Sequence, residues 1–222
     1  MDNATFNLIY NAMIETLLMV FVSGLISIIL GVLLGIVVFI TRPNHICSNK
    51  IIHASLSSVI NIGRSIPFII LLVAIVPLTR FIVGTSIGTS AAIVPLTIGA
   101  IPFVARLSEA LFSEMPYELI KASQAFGASK LQIIFYIIIP ESISGIINIA
   151  TITLITLVNY SAMAGTIGGG GLGDIAIRYG YQRFDLTIMI ITVCLIIILV
   201  QIIQYLGDYF SKTFIDKRIQ KQ

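Results

Sequence analysis

The sequence predicts an all-α integral membrane protein with five spanning helices, and three observations predict it. Hydrophobic residues fill 57% of the 222 positions and charged residues only 10%, with a mean hydropathy of +1.04. A soluble domain carries about a quarter charged residues. Five apolar runs are long enough to cross about 30 Å of hydrocarbon, which takes roughly 20 residues. The basic residues fall unevenly among the connections between those runs, as they do in proteins oriented across a bilayer.

The first run, residues 16–40, carries no charge. The stretch before it has Asp2 but no Lys or Arg, whereas a cleaved signal needs a positive leading region and a shorter apolar core. The expectation is a spanning helix that is retained. Ser23, Ser27, Gly31 and Gly35 recur along it every four residues, a small-residue stripe that lets another helix approach closely. Packing within one subunit is favoured over a dimer seam.

The second run, residues 51–78, is interrupted by Gly63, Arg64 and Pro67. An arginine at a helix centre costs roughly 2.5–3.5 kcal/mol on insertion scales, so Arg64 must pair, snorkel or line water. The third run, residues 81–105, contains Pro95 and Pro102. The fourth, 142–164, carries polar residues but no charge. Asn148, Thr151 and Asn159 share one face, and Thr153, Thr156 and Tyr160 share the next. A water-lined path and helix-to-helix hydrogen bonds both explain that pattern. The path is favoured because Tyr160-Ser161-Ala162-Met163 leads into a glycine loop, and Met163 is a flexible apolar side chain suited to a gate. Asn159, Tyr160, Ser161 and Met163 are the candidate path and gate residues. The fifth run is 186–206.

With five spans the termini lie on opposite sides. One side holds Arg80, Arg178 and Arg183; the other holds Arg42, Lys50, Lys121, Lys130, Lys212, Lys217, Arg218 and Lys221. The bias puts the N-terminus outside and the C-terminus in the cytoplasm. No repeat and no linker marks a second unit, so residues 1–222 read as one transmembrane domain with a core of about 12–207.

Several classes lose ground. No basic patch interleaved with aromatics supports nucleic-acid binding. Cys47, Cys194, His45 and His53 form no metal motif, and no cofactor is expected. Gly168 to Gly173 contains a formal G-x-G-x-x-G, but no strand precedes it and it follows a spanning run. It reads as a tight, flexible re-entry at the outer end of the path. There is no G-x-x-x-x-G-K-[ST], so no P-loop. Glu15, Glu109 and Glu141 sit at span ends, which argues against a proton-coupled carrier needing a carboxylate within a span.

The longest connection, residues 107–140, faces the cytoplasm in this orientation. Pro116 is placed to open a helix, Gly127 to end it, and Ser129 to cap a second short one. Such a pair could dock into a partner's groove through Leu119, Ile120, Ala122 and Phe126. An interfacial loop without a partner fits the same pattern.

Lys121-Ala122-Ser123, three residues, Gly127, then Ile139-Pro140 resembles the EAA loop of ABC importer permeases. In that family the pattern is Glu-Ala-Ala, three residues, Gly, and Leu-Pro or Ile-Pro further on. The resemblance implies that Lys121, Ala122, Ser123, Phe126, Gly127 and Pro140 belong to coupling helices that insert into an ATP-binding subunit. Lys121 stands where the family usually has Glu, so the ATPase is expected to offer an acidic or neutral residue there.

Residues 64–80, 83–106 and 150–173 also resemble the methionine-uptake permeases of this family, a subfamily with five spans per subunit. The resemblance implies a multi-pass inner-membrane permease with no bond chemistry of its own. Its partners would be a dimer of ATP-binding subunits in the cytoplasm and a methionine-binding lipoprotein outside. Five helices are few to enclose a path, so a homodimer with the path on its axis is expected. Methionine rests on the resemblance alone, with D- versus L-methionine open. A permease for another small amino acid or peptide, and an ATP-independent channel or carrier, are the alternatives.

Overall fold

The computed structural model describes residues 3–219, so Asp2 and Lys221 of the charge argument lie outside the described residues. Among the described residues the secondary structure is helical, with no strand. The chain runs through α1 (Asn3–Ile40), α2 (Lys50–Ser65), α3 (Phe68–Ala74), α4 (Val76–Val83) and α5 (Thr89–Ser113). It continues through α6 (Tyr117–Ala125), α7 (Lys130–Ile133), a π-helical stretch (Ile134–Ile138), α8 (Ile139–Glu141) and α9 (Ile143–Ala164). A second π stretch (Gly165–Gly169), α10 (Gly171–Ile175), a third π stretch (Ala176–Tyr181) and α11 (Leu186–Ile219) complete it. Among the described residues four helices are long and apolar enough to cross a membrane; the α2–α3 pair, bent by 100°, makes a fifth if it is one broken span.

The small-residue stripe of α1 is buried within the subunit. A Cβ on Gly31 would lie 2.5 Å from Val104 Cβ, and one on Gly35 would lie 2.6 Å from Ser108 Cβ. Ser27 Oγ donates to the Thr97 carbonyl at 3.1 Å. The stripe lets α1 and α5 touch backbone to backbone, where dispersion and small-residue packing replace the hydrophobic drive missing in lipid. α5 stays helical through Pro95 and Pro102, as spanning helices do when neighbours shield the freed carbonyls.

The starts of the first and third spans differ from the sequence expectation, and the second breaks where Gly63, Arg64 and Pro67 interrupt it. The third span begins at Thr89 rather than near 81. Gly84 and Gly88 adopt φ of 83° and 99°, left-handed conformations that stop a right-handed helix. Residues 76–83 form the separate helix α4. The second span is not straight: α2 ends before Pro67, which cannot continue the hydrogen-bond ladder, and α3 departs at 100°. α1 begins at Asn3, well before the uncharged run.

The core is layered along the bundle. Met19, Leu96, Leu157 and Leu199 join α1, α5, α9 and α11 at mid-length. Ile9, Ala12, Leu172, Ile175 and Ile188 close the glycine-loop end. Phe39, Phe112, Ile120, Ile133 and Ile138 close the opposite end, where α6 and α7 lie.

Candidate functional site

The segment from α6 to α8 is held by local chemistry that its sequence dictates. Pro116 precedes the first turn of α6. At the other end Gly127 (φ 82°) turns the chain, and beyond its chain neighbours nothing lies within 4 Å of where its Cβ would be. Glycine is needed there for its backbone freedom, not for space. The Gly127 N–H donates to the Gln124 carbonyl and the Ala128 N–H to the Ser123 carbonyl, both at 3.0 Å. That pair is the Schellman ending, which satisfies carbonyls a helix end would leave open. Ser129 then starts α7 with a capping box: its hydroxyl accepts from Gln132 N–H at 3.3 Å, and Gln132 Oε1 accepts from Ser129 N–H at 2.7 Å.

This pair of short helices has an inner and an outer face. Ile120 is fully buried against the Phe39–Phe112–Ile133 cluster, so it anchors α6 to the body and is removed from the candidate docking residues. Lys121, Ala122, Phe126, Gly127 and Pro140 are exposed, Phe126 at 92%. Leu119 is 41% exposed. Ser123 is half-buried and donates to the Leu119 carbonyl at 2.7 Å. Lys121 Nζ lies 5.1 Å over the Tyr117 ring, a cation–π contact that holds the ammonium on the outer face.

Sequence reasoning missed what α6 rests on. Tyr117 Oη donates to the Asn44 carbonyl at 2.8 Å. His45 is wedged between Phe39 and Tyr117, with ring centroids 4.3 and 5.2 Å away. Burial, and then the Arg42 charge, hold the His45 imidazolium below its ordinary pKa. Glu109, read as a span-end residue, is 2% exposed. It accepts from Arg42 at 2.7 Å and Arg106 at 2.6 Å. The spacing of Arg106 and Glu109 was a visible signal for half of that cluster; Arg42 is remote in sequence.

The predicted path residues separate in space. Asn148, Ile152, Asn159 and Met163 are exposed along one stripe of α9, with Met163 at 44%. Tyr160 is half-buried and stacks flat on Phe68, centroids 4.2 Å apart and planes at 3°. Ser161 does not join the others: it is 3% exposed and its hydroxyl donates to the Val158 carbonyl at 2.7 Å. Thr151 and Thr153 are also buried, so helix packing, not a water path, accounts for them.

Beyond α9 the glycine loop is packed rather than loose. Gly171 N–H donates to Glu15 Oε2 at 2.7 Å, and Leu172 N–H donates to Thr16 Oγ1 at 2.8 Å. A Cβ on Gly173 would sit 2.3 Å from Ala162 Cα, so glycine is what lets α10 fold back against α9. Near Tyr160, a cavity of about 150 Å³ opens at the α2–α3 break, lined by Gly63, Arg64, Phe68, Gly99, Phe103 and Tyr160.

Residues 27–216 match the family described as the binding-protein-dependent transport system inner membrane component. The chain belongs to this family. It is a multi-pass inner-membrane transport component, and its relatives are named as permeases. A Vibrio cholerae protein named "Probable D-methionine transport system permease protein MetI" is 54% identical over 202 residues, 91% of this chain and 90% of that one. The "D-methionine transport system permease protein MetI" of Escherichia coli (strain K12) is 52% identical over 151 residues, 68% of this chain and 70% of that one. A solved inward-facing structure of the MetNI methionine ABC transporter superposes with a TM-score of 0.95 at 48% identity, covering 96% of this chain and 99% of that one. An amino acid ABC transporter solved with histidines shares the fold, with a TM-score of 0.76 at 20% identity.

Proposed function

We propose that this chain is the permease subunit of an ATP-driven importer that carries methionine across the inner membrane. It works as a homodimer with a dimer of ATP-binding subunits in the cytoplasm and a methionine-binding lipoprotein outside. It has five spans, counting α2–α3 as one, with the N-terminus outside and α6–α7 in the cytoplasm. Residues 1–222 form one transmembrane domain with a core of about 12–207, and residues 107–140 couple it to the ATPase. The names of the close relatives support the substrate, and the MetNI likeness supports the assembly.

The observation that carries the reading is the α6–α7 surface. A rigid helix pair, capped at its turn and pinned by Ile120, presents Phe126 and Lys121 to solvent. A bare phenylalanine beside a capped turn is the form of an anchor for a partner's pocket. ATP-driven closure of the ATPase would push this pair, and the Ile120 contact would pass the push to α1 and α5. The exposed α9 stripe supports the dimer. Asn159 Nδ2 donates to the Ile155 carbonyl at 3.4 Å, but facing lipid its amide oxygen and the whole Asn148 amide would lack partners; facing a second copy, they line a polar path. Asn159, Tyr160 and Met163 shape that path near its outer end.

Uptake of labelled methionine into proteoliposomes holding this chain, its ATPase and its binding protein tests the proposal. ATP-dependent accumulation that needs every component is the expected result. A complex that hydrolyses ATP but ignores methionine would remove the substrate and keep the permease. Failure to assemble with the ATPase would remove the coupling role of α6–α7.

A further inference from the structure

We propose that the cavity at the α2–α3 break is a carboxylate-binding subsite on the translocation path, with Arg64 as its anion-binding group. The inference deepens the reading of the chain as an amino-acid importer and rests on it for the identity of the ligand.

Arg64 is a charge without a counter-charge. Arg42 and Arg106 are paired with Glu109, Arg178 with Asp174, and Arg183 lies over Tyr179; Arg80, also without an ion pair, is exposed on α4 and lines no cavity with Arg64. Arg64 has no ion pair and no side-chain hydrogen bond among the described residues. Its depth makes this informative. The facing wall is Gly99 and Phe103, at the middle of α5, and a Cβ on Gly63 would lie 2.8 Å from Pro102 Cγ. Arg64 is exposed in this subunit, so its unpaired charge at that level snorkels, lines a water-filled path or meets a ligand; the cavity at its side favours the last two.

The surroundings select the ligand. None of the residues lining the cavity is acidic, so the local field is positive. Guanidinium binds a carboxylate through two parallel N–H···O bonds. The stacked Phe68–Tyr160 pair and Phe103 exclude water from one side, and an ion pair strengthens as water is excluded. The last turn of α2 leaves carbonyls without helical partners, which are acceptors for an ammonium group. About 150 Å³ is the size of a cavity that holds one benzene. That fits the carboxylate, α-carbon and amine of an amino acid, with its side chain left to project outward. The site would therefore read the part common to amino acids and leave choice of side chain to another component. Tyr160 ties it to the path, since Asn159 and Met163 lie beside it on the exposed run of α9.

The plain alternative is an arginine that complements the C-terminal dipole of α2, and two measurements separate them. In the reconstituted complex, Arg64→Gln is expected to lower methionine accumulated per ATP hydrolysed by about tenfold while assembly and ATPase rate hold, with partial recovery in Arg64→Lys. Second, with Cys47 and Cys194 replaced by Ser, Phe103→Cys places a thiol in the cavity wall of the full complex. A negatively charged methanethiosulfonate should modify it about tenfold faster than a positively charged one. That preference should vanish with Arg64→Gln, and acetate or methionine should slow the reaction. Equal rates for the two reagents, or unchanged transport stoichiometry in Arg64→Gln, would overturn the subsite. If Arg64→Gln fails to assemble, the reagent comparison on the Arg64 background decides alone. Anion preference with acetate protection, in a wild-type complex that accumulates no methionine, would remove methionine and keep the site.

Discussion

Arg42, just past the end of α1, donates to Glu109 of α5 across 2.7 Å, although 67 residues separate them in the chain. Glu109 is nearly without solvent and holds Arg106 with its other oxygen. The cluster fastens α1 to α5 directly behind α6. Removing Glu109 would leave two guanidinium groups, each partly solvated, with their shared acceptor gone. Glu109→Ala is expected to cost about 2–3 kcal/mol, below the full value for a wholly buried pair because both arginines reach water. Glu109→Gln should cost less. Melting of the purified complex at low and high salt checks this; equal losses for the two variants would mean that packing, not charge, matters here.

The face of α6 makes an opposite pair of predictions. Phe126→Ala should leave the melting temperature of the permease unchanged, because the ring touches almost nothing in it. The same change should weaken ATPase binding by roughly 30-fold, the loss of about 2 kcal/mol typical of an interface anchor. Ile120→Ala should do the reverse in kind, costing about 2–4 kcal/mol of stability through a cavity in the core. Affinity by titration of the ATPase, beside melting curves, separates the two effects.

Lys121 tests the departure from the family's acidic residue. Lys121→Glu is expected to lower ATPase affinity and coupled transport, since it would oppose an acidic or neutral partner surface and lose the contact with Tyr117. Tighter binding by Lys121→Glu would sink the pairing idea.

Met163 stands on the outward stripe of α9, near its end. Met163→Ala should alter transport rate or raise ATP hydrolysis without transport, with little change in stability because the side chain is half in the open. Wild-type values for both would leave Met163 without a gating part.

His45 gives the complex a pH dependence of known sign. Its pKa in the folded chain lies below the ordinary 6.5, so the unfolded chain binds more protons as acid is added. The stability due to neutral His45 is fully present above pH 6.5 and is lost as pH falls from there through the folded value. Melting temperature should drop between pH 7.5 and 5.5, and His45→Phe, which keeps an aromatic ring between Phe39 and Tyr117, should flatten that drop.

The runs that became α1, α9 and α11 were legible because hydropathy over twenty residues is a strong signal and needs no partner. The capped turn at Gly127 and Ser129 was legible because capping is local chemistry. The start of α5 was not: Gly84 and Gly88 look like any glycines in an apolar run until their φ angles are seen. Ile120 and Phe126 are both apolar residues of one short helix, and which of them faces inward depends on Phe112 and Ile133, on other helices. The burial of Ser161 was hidden for the same reason, since polarity on a spanning helix does not say whether the residue faces away from its own bundle. The Arg42 half of the Glu109 cluster needed a contact between remote positions, which no spacing rule supplies.

The clasp of Glu15 and Thr16 on Gly171 and Leu172 spans 156 positions in the chain. During synthesis, at roughly 5–20 residues per second, α1 emerges first and waits about 8–30 seconds for the backbone it will grip. Over that interval its carboxylate lacks the Gly171 N–H, and the end closes only once α11 has brought Ile188 to the same cluster. Maturation of this end is therefore a late step, governed by the release of the final third of the chain and not by how fast the first helix inserts.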